Sequence, residues 1–204
     1  MGISAYIKRN PTLKRISLWA MIPAHEQRPR CWIRWFVNPF VHQRSRGAVI
    51  RRRTRLDVFP YQKFALGRNS VIEDFATVNN GVGPVSIGDE TIIGIGNVII
   101  GPVAIGNHVM LAQHIVVSGL NHGYQDVSIP PSQQRVSCKQ ITIDDGVWIG
   151  ANSVITAGVC IGKHSVVGAG SVVVYDIPAY SVAVGNPARV IKQYNRDTKK
   201  WERV

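Results

Sequence analysis

The chain has 204 residues, 24 Lys and Arg against 12 Asp and Glu, and a formal net charge of +12. Its 45% hydrophobic content suits a folded domain with a sizeable core and excludes wholesale disorder. Three dispersed cysteines (Cys31, Cys138 and Cys160) form neither a disulfide framework nor a zinc knuckle, no apolar run has the length of a membrane span, and the start lacks the features of a signal peptide, so a reduced cytoplasmic setting is expected.

The charge is confined to the start of the chain. Residues 1–63 hold 14 Lys and Arg and two acids, whereas residues 64–204 hold 10 of each sign. This basic N-terminal segment, 1–63, reads as an appendage ahead of a neutral body. Its Arg51-Arg52-Arg53-x-Arg55 cluster and the interleaved Trp32, Trp35 and Phe36 allow three readings: a cap that packs on a neighbour, a peripheral contact with anionic membrane lipid, or a nucleic-acid surface on a non-enzymatic solenoid. The neutral body does not share a nucleic-acid footprint, which leaves that reading a minor alternative.

The segment Ile72–Gly83 reads as a first, imperfect turn of a repeat that becomes regular at Ile87. An aliphatic residue then recurs every six positions: Ile87, Ile93, Ile99, Ile105, Leu111 and Val117, and again at Ile143, Ile149, Ile155, Ile161, Val167 and Val173. Gly, Ala, Ser or Asp usually follows it. A period of six fits neither a helix nor a lone alternating strand. It predicts an all-β solenoid, in which each hexapeptide is a short strand plus a turn and three of them close a triangular coil. The aliphatic residue points into the prism, and the β-helix is expected over residues 64–192, with a tail at 193–204.

The phase breaks once, between Val117 and Ile143. Residues 118–142 therefore form a loop projected from a rigid scaffold, where chemistry tends to reside. Of the six histidines, His108, His114 and His164 fall on turn positions of the coil, and His25 and His42 lie in the basic segment. Only His122 stands in the loop, among Asn121, Gly123, Tyr124 and Asp126. An imidazole there suits deprotonation of a hydroxyl near neutral pH. Asp126 or a backbone carbonyl could orient its other nitrogen. A γ-class carbonic anhydrase-like metal site needs three converging histidines, and His108 and His114, six apart, do not pair with His122; no metal is expected. Neither Cys138 nor Cys160 has a histidine at a spacing that suits a nucleophile.

Four motifs in order carry a resemblance: Asn121-His122-Gly123-Tyr124-x-Asp126; Ile143-Asp144-Asp145-Gly146-Val147-Trp148-Ile149-Gly150-Ala151-Asn152; Ile161-Gly162-Lys163-His164-Ser165-Val166-Val167-Gly168-Ala169-Gly170; and Val184-Gly185-Asn186-Pro187-Ala188-Arg189-Val190-Ile191-Lys192. Over residues 70–192 the chain resembles the hexapeptide-repeat O-acetyltransferases related to galactoside and maltose acetyltransferases and to enzymes of capsule and O-antigen polysaccharide biosynthesis. The resemblance implies a left-handed parallel β-helix assembled as a homotrimer with sites between neighbouring prisms. It implies acetyl-CoA as co-substrate and a sugar or glycan hydroxyl as acceptor. It makes His122 the general base, and places Asn121, Tyr124, Asp126 and Trp148 at the acceptor. Gly150, Ala151, Gly168 and Ala169 would lie along the pantetheine arm, with Arg189 and Lys192 at the coenzyme A phosphates. Two departures stand out: Val174-Tyr175 replaces a common Thr-Lys pair, and the N-terminal helical motif of the free-sugar enzymes is not recognisable.

Overall fold

The structure is a computed structural model and describes residues 10–204; Lys8 and Arg9 of the basic segment lie outside the described residues. Short strands fall into three parallel sheets, and each stretch of chain visits the first, second and third sheet in turn before returning to the first. Coil 1 is Gln43–Arg44, Val49–Ile50 and Arg55–Asp57, and coil 2 is Phe64–Leu66, Val71–Ile72 and Thr77–Asn79. Coil 3 comprises Val85–Ile87, Ile92–Ile93 and Val98–Ile100; coil 4, Val103–Ile105, Met110–Leu111 and Val116–Ser118. After the loop come coil 5 (Ile141–Ile143, Trp148–Ile149, Val154–Ile155) and coil 6 (Cys160–Ile161, Val166–Val167, Val172–Val173). The result is the parallel β-solenoid expected of the period-six repeat, consistent with the left-handed β-helix that the resemblance implies.

Register explains the period. Ile50, Ile72, Ile93, Leu111, Ile149, Val167 and Ala183 are consecutive Cα partners, so residues of one phase stack into one inward column of the second sheet. From Ile72 onward every member is buried. At the corner between the first and second sheets, Asn69, Glu90, His108, His164 and Tyr180 adopt positive φ. The residue after each is buried, and where it is Ser or Thr its hydroxyl bonds a carbonyl at the corner, as Ser70 Oγ does to Gly88 O at 2.6 Å and Ser165 Oγ to Pro178 O at 2.7 Å. The corner thereby satisfies polar groups that stacking would otherwise bury unpaired.

The prism begins at Gln43, well ahead of the boundary expected at 64. Coil 1 escapes the pattern because its inward column positions are Arg44, Ile50 and Leu56, paired with Leu66, Ile72 and Val78. It is an end coil with nothing stacked beneath it, so an Arg is tolerated there; its Nε and Nη2 donate to Ala48 O at 3.2 and 2.9 Å. Ahead of it, α1 (Pro11–Met21) is capped by the Asn10 side chain accepting from Thr12 N and Leu13 N. A helical stretch over 31–41, with Ile33 buried, ends in α2 (Asn38–Val41) and is tied to the chain just after coil 1 by Asn38 Nδ2, which donates to Val58 O at 2.8 Å.

The C-terminal residues are not a loose tail. Ser181–Gly185 extends the second sheet in parallel, and Ala188–Asn195 and Lys200–Arg203 add two antiparallel strands beside it.

Candidate acyl-transfer site

The loop leaves the third sheet after Ser118 and rejoins the first sheet at Ile141, so it stands on the corner of the prism that faces away from the second sheet. Its stem is an antiparallel pair, Leu120 opposite Cys138 and Asn121 opposite Ser137. Gly119 O accepts from Lys139 N at 2.9 Å, and Gly123 N donates to Arg135 O at 3.1 Å. His122 is therefore held between two ordered backbone pairings at the top of the stem, with its ring exposed.

Beyond His122 the loop organises itself. Gln134 Nε2 donates to Asp126 O and Ile129 O at 2.8 and 3.0 Å. The Asp126 carboxylate accepts from Ser128 N at 2.9 Å and Ser128 Oγ at 2.6 Å, which holds that carboxyl below the usual range. Of the two partners considered for the imidazole, Asp126 is thus engaged with Ser128, and among the described residues no hydrogen bond reaches the His122 ring. Tyr124 is largely exposed at the loop surface.

Trp148 stands on the outer face of the second sheet, in an outward ladder with Ile92, Met110 and Val166. Ile92, Met110 and Trp148 are each nearly half exposed. With Ile95, Glu73 and Gln113 they border a shallow hollow of about 370 Å³. Only Trp148 of this set was anticipated from sequence. The signal for the others was present, since each precedes an inward aliphatic residue (Ile92 before Ile93, Met110 before Leu111) and is too apolar for a solvent-facing position.

The chain turns from the second to the third sheet after Ile149, the residue that follows Trp148. Gly150 and Ala151 occupy that corner in coil 5, and Gly168 and Ala169 occupy it in coil 6; Gly170 N donates to Ala151 O at 2.8 Å. The glycines have a stacking reason of their own. A Cβ on Gly150 would stand 2.5 Å from Ala169 N, and one on Gly168 would stand 2.7 Å from Val184 Cγ1. Ala151 and Ala169 present only methyl groups on this corner, beside the exposed Asn152 and Gly170. Arg189, opposite Val184 on the C-terminal strand pair, lies near this corner. Its guanidinium rests 5.0 Å from the Tyr175 ring centroid, so the aromatic at the departure from Thr-Lys holds a cation after all. Lys192 is exposed on the same strand.

The structure thus brings Trp148, Gly150, Ala151, Gly168, Ala169 and Arg189 to one side of the prism. It places Asn121, His122, Tyr124 and Asp126 on the corner facing away from the Trp148 sheet. Among the described residues no three His, Cys, Asp or Glu side chains are grouped to hold a metal ion.

Residues 140–174, which span coils 5 and 6, match the family described as bacterial transferase hexapeptide (six repeats). The matched residues lie within the period-six stack described above. Over 109 residues it is 36% identical to WbbJ of Escherichia coli K12, named as a lipopolysaccharide biosynthesis O-acetyl transferase, a match covering 50% of this chain and 56% of that protein. The chain spans about half the length of the relatives it matches. A maltose O-acetyltransferase structure from Clostridium difficile 630 superposes with a TM-score of 0.54 at 26% identity, covering 95% of this chain and 87% of that one. AntD, an N-acyltransferase from Bacillus cereus, shares the fold with a TM-score of 0.62 at 23% identity, covering 75% and 87%.

Proposed function

We propose that this protein transfers an acetyl group from acetyl-CoA to a hydroxyl of a sugar or glycan precursor, in a site completed between neighbouring copies. The observation that carries the reading is the division of the candidate residues. The proton acceptor sits on the corner between the third and first sheets, whereas the small-residue strip sits on the corner between the second and third, with Trp148 on the second sheet itself; a prism standing beside this one would bring its own strip and Trp148 to this loop. A homotrimer does this and also covers the outward apolar ladders of the second sheet (Ile92, Met110, Trp148) and third sheet (Val98, Val116, Val154, Val172). Support for the donor and acceptor classes comes from the relatives: WbbJ is named for O-acetyl transfer in lipopolysaccharide biosynthesis, and the AntD complex holds coenzyme A and a dTDP-amino sugar on the same scaffold.

In the proposed step the His122 imidazole takes the acceptor hydroxyl proton as the oxygen attacks the thioester carbonyl. The tetrahedral oxyanion, held by a backbone N–H, collapses to the ester. The departing thiolate of coenzyme A then recovers the proton from the imidazolium. Ala151 and Ala169 leave room for the pantetheine arm, and Arg189 and Lys192 supply charge for the phosphates.

The test is release of free coenzyme A over a panel of nucleotide-linked, free and lipid-linked sugars. One acceptor class should stimulate release well above hydrolysis, and His122→Ala should lower that turnover by at least about 10²-fold with the oligomeric mass unchanged. Full turnover in His122→Ala removes His122 from the chemistry, and no stimulation by any sugar removes the acceptor class.

A further inference from the structure

The N-terminal helices carry a surface that acyl transfer does not use. In the stretch 31–41, Ile33 and Asn38 are buried, Asn38 on Val58 O, whereas Trp32, Trp35, Phe36 and Phe40 are exposed along the same stretch, which is π-helical over Ile33–Val37, and Trp35 borders the hollow at the open end of the prism. Trp35, Phe36 and Phe40 are 72%, 74% and 86% exposed, and Trp19 of α1, stacked under Arg30, is 69% exposed. Aromatic residues this open are far outside the normal run of single surface hydrophobics.

Charge surrounds these aromatics. From residue 27 to residue 56 the chain has nine arginines and no acidic residue. Arg34, Arg46 and Arg52 make no ion pair among the described residues. The end of the prism at coil 1 forms a hollow of about 620 Å³ lined by Arg34, Arg51 and Arg52 together with Trp35, Ile50, Leu56 and Phe64.

We propose that this end of the molecule docks on an anionic lipid bilayer, with Trp35, Phe36 and Phe40 inserted at the headgroup level and the arginines on the lipid phosphates. Aromatic side chains favour the membrane interface, and cationic residues beside an anionic leaflet add to binding one by one. Neither feature suffices alone; an apolar face with a cationic surround is what attaches a surface helix. Among the described residues no helix is long and apolar enough to cross a membrane, so the contact is with the surface. A second copy fits this patch poorly, because like faces would bring unpaired arginines together. Nucleic acid would take the arginines and stack bases on the aromatics, but the chain beyond residue 63 is neutral and extends no basic track for a strand. The docking holds whatever reaction the prism runs.

The full chain is sedimented with phosphatidylcholine vesicles with and without phosphatidylglycerol, and with vesicles of brominated lipid to quench tryptophan. Binding should require phosphatidylglycerol and be accompanied by quenching. Trp35→Ala/Phe36→Ala/Phe40→Ala and Arg34→Glu/Arg52→Glu should each lower partitioning by at least about tenfold, with circular dichroism unchanged because all five side chains are exposed. Equal binding with and without phosphatidylglycerol, or unaltered binding in both variants, overturns the proposal. So does a change of oligomeric mass in the aromatic variant with vesicle binding intact, or retention on duplex DNA with none on vesicles.

Discussion

Trp148 is the direct Cα partner of Met110 one coil below, and both project from the outer face of the second sheet, 48% and 47% exposed. The indole contributes nothing to the inward column, which at this level is filled by Ile149 and Leu111. Trp148→Ala is therefore expected to leave the core of the prism intact, with a far-ultraviolet circular dichroism spectrum matching that of the parent. If the ladder borders the acceptor site, kcat/KM should fall by about tenfold or more while the fold stays intact. Full activity in this variant would place the acceptor elsewhere.

Gly150 lies directly after this ladder, and its role separates from that of cofactor contact by a paired substitution. A Cβ at Gly150 meets backbone atoms, Ala169 N at 2.5 Å and Ala169 Cα at 2.8 Å, in a stack where Gly150 N also donates to Val167 O at 2.8 Å. At Gly170, on the same corner, a Cβ meets nothing within 4 Å, and only its φ of +70° opposes substitution. Gly150→Ala should cost about 1–3 kcal/mol and Gly170→Ala about 1 kcal/mol. Urea unfolding should rank them in that order; the reverse order would show that coil spacing at Gly150 is set by something other than this contact.

The six-residue period was legible because stacking makes every coil ask for the same residue at the same place: Ile93, Leu111, Ile149 and Val167 answer one demand. Coil 1 was not, for two physical reasons. Its inward position at Arg44 is uncovered on one side and so is not held to an aliphatic residue, and the stretch 58–63 between Asp57 and Phe64 breaks the phase. Individual site residues such as His122 and Trp148 could be named from the loop and the motif. Their separation around the prism could not, because it depends on which sheet each strand joins.

The same column offers a test of how stability is distributed. Ile149 is completely buried between coils 4 and 6, whereas Ile50, in the same column, is only half-buried at the open end. Ile149→Ala is expected to cost about 2–5 kcal/mol, and Ile50→Ala roughly 1 kcal/mol, because a truncation at the rim leaves a dent open to water rather than a sealed void. Comparable losses in chemical denaturation would mean that the 31–41 stretch seals the end more tightly than the hollow beside it implies.

His42 gives the molecule a calculable response to acid. Its ring sits edge-on to Phe64 at 5.9 Å, neither nitrogen has a hydrogen-bond partner, and burial lowers its pKa from 6.5. Arg34, Arg44, Arg51 and Arg52 line the same hollow, which contains no carboxylate. A base whose folded pKa is depressed binds fewer protons in the folded state than in the unfolded one. Stability from this group is therefore complete above 6.5 and declines as pH falls through 6.5 toward the folded value. The melting temperature of the parent should drop across that window, and His42→Phe, which keeps a flat ring against Phe64, should drop less. Parallel pH profiles for the two proteins would show that the imidazole finds a partner in solution.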